Sequence, residues 1–170
     1  DYRNAFGVIK WNDALHEALT ALPEICPCLA ALWGTPDQGQ RMYVETEPGV
    51  WECIKTLGSI VPGGQEGQPV FCMMLTAIIL EVRKKLSSMS AESMRVYAFV
   101  DDVTISVDQA YLRQTSEALR TVSAAYGLEL VAAKSAVYIP DMRAASPEEF
   151  AIRAQEVCDD TDGISLRQDG

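Results

Sequence analysis

Two short apolar runs, "RVYAFV" (95–100) and "VTISV" (103–107), are separated by two residues, Asp101 and Asp102. Both runs are rich in β-branched and aromatic side chains, and a two-residue gap is hairpin spacing. An antiparallel pair in the middle of the chain therefore constrains whatever fold surrounds it. The acids between the runs have two readings. Aspartate suits tight turns, so the pair can be turn chemistry alone. Two carboxylates at a hairpin tip can also hold hard cations, which favour oxygen ligands.

The neighbouring segments supply helices and further strands. "WNDALHEALTAL" (11–22) carries Trp11, Leu15, Leu19 and Leu22 at helical spacing, with Asn12 or Asp13 as cap, and Pro23 breaks it. "EICPCLAALWG" (24–34) reads as a second short helix ending at Gly34. "RMYVETEPGVWECIKT" (41–56) reads as two strands joined at Pro48-Gly49. A glycine-rich loop, "VPGGQEGQP" (61–69), leads into a buried helix over 70–86. That helix carries "VFCMMLTAIIL", which is shorter than the ~20 apolar residues of a membrane span. Residues 109–127 form an amphipathic helix with Leu112, Leu119, Val122 and Tyr126 inward and Gly127 closing it. Residues 128–139 return as extended chain. Over 146–157, Ser146 as cap, Pro147 at the first helical position and two acids after it mark a helix start. The polar, acidic tail after Cys158 is expected to be mobile. This order defines an α+β domain, an antiparallel sheet with helices packed on one face.

Hydrophobic residues make up 48 % of the chain, enough for a core. The net charge is −10 with only 14 basic residues, which argues against independent nucleic-acid binding, because phosphate contacts need clustered Lys and Arg. Arg83, Lys84 and Lys85 do cluster, but at a helix C-terminus, where positive charge meets the negative end of the dipole. Cys26 and Cys28 form a C-x-C pair with no second pair, a poor zinc pattern, and His16 is the only histidine. The five cysteines read as reduced, mostly buried thiols in an intracellular or organellar compartment.

Four motifs stand in a fixed order: "DYRNAF" from Asp1, "PGGQEGQP", "FVDD" ending at Asp102, and "GLELVAAK" ending at Lys134. This order resembles the reverse transcriptase palm of non-LTR retrotransposons and group II introns. There the motifs read D-x-x-N-A-F, a glycine loop before a helix, [YF]-x-D-D, and G-L-x-x-N-x-x-K. The resemblance implies a polymerase-palm (ferredoxin-like) architecture over residues 1–140, then a C-terminal helix and acidic tail over 141–170, with fingers and thumb absent. It implies that Asp1 and Asp101 converge on two Mg²⁺ ions, with Asp102 supporting them or binding more peripherally, for RNA-directed DNA synthesis, a nucleotidyl transfer on an RNA template and DNA primer. It also implies that Lys134 meets the leaving pyrophosphate, and that Gly63 and Gly67 belong to the nucleotide-binding loop. Phe6 would pack under the nucleotide sugar; read on its own, it is a core residue at a strand end.

Some residues depart from that pattern. The loop aligns in two ways: Glu66 stands for the usual glutamine if Gly67 takes the motif glycine, or Pro62 if Gly63 does. A glutamate there would repel a triphosphate. Val131 stands where asparagine is usual. Two functions are therefore expected: the palm portion of an RNA-directed DNA polymerase, or a domesticated, non-catalytic relative serving as a structural subunit among protein partners.

Overall fold

The computed structural model describes residues 2, 11–33, 40–56, 67–86, 94–99 and 102–168. Helices and small sheets are mixed, as in an α+β fold. The described strands form three two-stranded sheets rather than one. The chain divides into two compact units, residues 4–77 and residues 1–3 with 78–170. No helix among the described residues is long and apolar enough to cross a membrane.

In the first unit, helix α1 (Trp11–Ala21) is followed by a 3₁₀ turn at Pro23–Ile25 and helix α2 (Cys26–Trp33). Pro23 lacks an N–H to continue α1, so the break falls where the sequence places it. The buried positions of α1 are Ala14 and Ala18, whereas Leu19 and Leu22 are exposed. The buried stripe thus lies one position from the leucines. Strands β1 (Gln40–Glu47) and β2 (Val50–Thr56) pair antiparallel around Pro48-Gly49. Gly49 has φ 81°, a left-handed conformation that costs glycine little, and its N–H donates to Glu45 Oε1 at 2.7 Å. Residues 43–54 are exposed on both faces of this hairpin.

Helix α3 (Gly67–Lys85) begins three residues before the start read from the sequence, and the boundary between the units falls within it. Val70, Phe71, Met74 and Leu75 are buried in its first part, Ile78 and Val82 in its second. Its last turn carries Arg83, Lys84 and Lys85, as the dipole favours.

The second unit contains the central hairpin, β3 (Met94–Phe99) with β4 (Asp102–Val107). The register pairs Phe99 with Asp102. Asp102 therefore belongs to the strand, one position away from the frame read in the sequence. Helix α4 (Leu112–Ala125) follows a 3₁₀ turn at Gln109–Tyr111 whose start is capped by Asp108. Gly127 closes α4 at φ 83°, with the Leu128 N–H donating to the Ser123 carbonyl at 2.9 Å, a Schellman turn.

Three expectations are corrected in this unit. The buried face of α4 is Thr115, Ser116, Ala118, Val122 and Ser123, while Leu112, Leu119 and Tyr126 are only half-buried. Small side chains allow close approach on that face, which a reading by hydrophobicity overlooks. The segment after Leu128 is not one extended run: Leu130 makes an isolated bridge, Ala132–Lys134 form a 3₁₀ turn, and strand β5 covers only Ala136–Tyr138. The tail has regular structure over its described residues. Helix α5 (Pro147–Thr161) continues beyond Cys158 and is followed by strand β6 (Ser165–Arg167), which pairs parallel with β5 and buries Leu166, just after the buried Ile164.

Capping accounts for both ends of α5. Ser146 and Glu149 form a capping box, each accepting the other's backbone N–H. At the other end Asp162 turns left-handed, and Arg120 of α4 donates to the carbonyls of Thr161 (2.7 Å) and Asp162 (2.9 Å). A guanidinium at the negative end of the helix dipole is favourable there. It fixes the turn that sends the chain into β6.

The thiols also differ from expectation. Cys28, Cys53 and Cys72 are exposed and Cys158 is half-buried, all four in the free form. Cys53 lies in the two-faced β1–β2 hairpin and Cys72 on the outer side of α3, so neither has a core to enter.

Candidate functional site

The hairpin places Asp102 at the first position of β4, exposed, with Thr104 and Ser106 exposed after it and Val103, Ile105 and Val107 half-buried between them. This is the period-2 pattern of a strand with one covered face. Among the described residues β4 pairs only with β3. A cavity of about 440 Å³ is lined by Asp102, Val103, Thr104 and Ile105 in succession. Successive strand residues point to opposite faces, so this cavity runs along the free edge of β4.

Tyr2 and Lys134 line the same cavity. Tyr2 is held there by three features. It bridges antiparallel to Leu130, it is 3 % exposed, and its hydroxyl lies 3.0 Å from Ser123 Oγ. Burial pushes the Tyr2 hydroxyl pKa up, and the Ser123 hydrogen bond opposes that rise. Lys134 ends the 3₁₀ turn between the Leu130 bridge and β5. The chain's second residue, the hairpin acid and the fourth-motif lysine, far apart in sequence, thus converge on one cavity.

Of the residues singled out in the sequence, Asp102 and Lys134 are brought together. Gly67 is buried at the first position of α3, in the other unit. Asp1, Phe6, Gly63 and Asp101 lie outside the described residues. Among the described residues no group of three or more His, Cys, Asp or Glu side chains comes together as a metal site. Asp102 supplies one exposed carboxylate, a hard oxygen donor of the kind Mg²⁺ accepts.

Sequence reasoning missed Tyr2, Thr115 and Ser123. Tyr2 had a signal, an aromatic residue beside the first acid in an otherwise polar stretch. Thr115 and Ser123 had none, because polar residues in an amphipathic helix are assigned to its solvent side. No described protein family, curated protein or solved structure matches this chain.

Proposed function

We propose that the chain is the palm portion of an RNA-directed DNA polymerase, with a polymerase-palm arrangement around the β3–β4 hairpin. The observation that carries this reading is the convergence of Tyr2, Asp102 and Lys134 on one cavity. Asp1 is covalently next to Tyr2 and Asp101 next to Asp102 in the sequence.

In this reading Asp1, Asp101 and Asp102 hold Mg²⁺, which when bound supplies Lewis-acid stabilisation of phosphoryl charge. Asp102, on a paired strand, presents its carboxylate from a fixed backbone. Lys134 places a cation where negative charge builds on a leaving pyrophosphate. The buried Tyr2–Ser123 pair anchors Tyr2, the residue after Asp1 in the sequence, to α4. Template and primer would be gripped by surfaces other than this one, given the net charge of −10.

A second reading has its own observation. The β1–β2 hairpin exposes Tyr43, Trp51 (61 %), Val50 and Ile54, an unusual load of large apolar side chains on a two-stranded element. That load suits a non-catalytic subunit whose hairpin is covered by protein partners. Primer extension on an RNA template separates the two. Extension that requires Mg²⁺ and is lost in Asp102→Asn supports the polymerase. No extension, together with a stoichiometric protein complex that Trp51→Ala disrupts, supports the subunit.

A further inference from the structure

The helical threonines of the described chain follow one habit. Thr20, Thr76, Thr121 and Thr161 each donate the side-chain hydroxyl to the carbonyl four residues earlier, at 2.7–2.9 Å. Thr115 breaks it. It is 5 % exposed and its Oγ1 has no hydrogen-bond partner. The other buried side-chain atom in that position, Arg120 Nε, belongs to a guanidinium that already makes several bonds. The Thr115 hydroxyl makes none.

An unpaired buried hydroxyl is costly, and native structures seldom keep one without a use. Thr115 lines the cavity beside β4. The other buried hydroxyls on that wall are engaged: Tyr2 with Ser123, Ser116 with the Thr161 carbonyl, and Thr161 with the Val157 carbonyl. The apolar part of the wall includes Val103, Ile105, Leu119, Val137 and Ile164. Among the described lining residues the charged ones, Asp102 and Lys134, are both exposed, and the buried ones are neutral. At about 440 Å³ the space falls within the range of small-molecule pockets.

We infer that this cavity binds a neutral, largely apolar small molecule bearing a single carbonyl, which accepts the hydrogen bond of Thr115. Threonine in a helix takes two χ1 rotamers, so the hydroxyl can turn to meet the ligand. The apolar side chains supply most of the contact area, and the one polar group fixes orientation. In the polymerase reading this ligand shares the cavity that Asp102 and Lys134 line.

The test is an NMR titration of the full chain with acetanilide, an arene carrying one amide carbonyl. Saturable shifts confined to Ile105, Leu119, Val137, Ile164 and their neighbours are expected. Thr115→Val should weaken binding about fivefold, the effect of one net hydrogen bond. Thr115→Ser should retain it, and Thr121→Val, on the exposed side of the same helix, should leave it unchanged. Thr115→Val removes an unpaired hydroxyl, so this variant is expected to fold at least as well as the parent. Absent or non-saturating shifts, shifts centred on the exposed β1–β2 hairpin, or equal affinity of Thr115→Val and the parent would each overturn the inference.

Discussion

The buried pair of Tyr2 and Ser123 links the first described residue to helix α4 and can be measured by a double-mutant cycle. Ser123 is fully buried, and the two oxygens lie 3.0 Å apart. Tyr2→Phe keeps the ring but leaves the Ser123 hydroxyl without its partner, a loss of about 1–3 kcal/mol. Ser123→Ala strands the tyrosine hydroxyl at a similar cost. The double variant removes both polar groups and should lose little more than either single change. The coupling energy is then on the order of 1–2 kcal/mol. Urea unfolding followed by circular dichroism measures it, and each single variant should lower Tm by roughly 2–4 °C per kcal/mol lost. Strictly additive losses would refute the pairing. The pH dependence gives a second readout. Because burial raises the folded pKa of Tyr2 above its ordinary 10.0, the unfolded tyrosine ionises first. Stability is fully present below pH 10 and falls as pH rises through the folded value. Tyr2→Phe should flatten that alkaline slope.

Three further outcomes test parts of the second unit. Ser146→Ala should cost about 1 kcal/mol by removing the cap of α5. Hydrogen bonds from the Ser146 backbone and hydroxyl hold the Glu149 carboxyl below the usual glutamate range, so the box contributes above that range. Its contribution disappears as pH falls through the lowered folded value, and acid unfolding of Glu149→Gln should show a shallower slope there. Leu166→Ala should destabilise by about 2 kcal/mol or more, measured by urea unfolding, because a buried leucine is lost from β6. A neutral result would return the tail to the mobile state read from its composition.

What could be read in advance was what local chemistry decides. Pro48-Gly49 specifies its turn through glycine's tolerance of φ 81°, Pro23 breaks a helix by lacking an N–H, and Ser146, Pro147 and Glu149 spell out a helix start. What could not be read was decided by partners distant in sequence. Ser123 and Thr115 look like solvent-side residues of α4, yet small side chains are what its close contacts accept. Ile164 and Leu166 sit in a polar tail whose composition suggested mobility; their alternation with Ser165 was the signal, and pairing with β5 makes use of it. Asp102 and Lys134 were singled out through their motifs, and both line one cavity. Tyr2 was overlooked because its role comes from burial against α4.

The central claim is that a divalent cation is held where Asp102 meets the cavity that Tyr2 and Lys134 line. Titration of the chain with Mn²⁺, as a paramagnetic substitute for Mg²⁺, tests it directly by NMR. The account predicts selective broadening of the resonances of Tyr2, Asp102 and Val103, displaced by excess Mg²⁺ and greatly reduced in Asp102→Asn. Broadening that spares these residues and centres instead on the acids of α5, Glu148, Glu156 and Asp159, would contradict it.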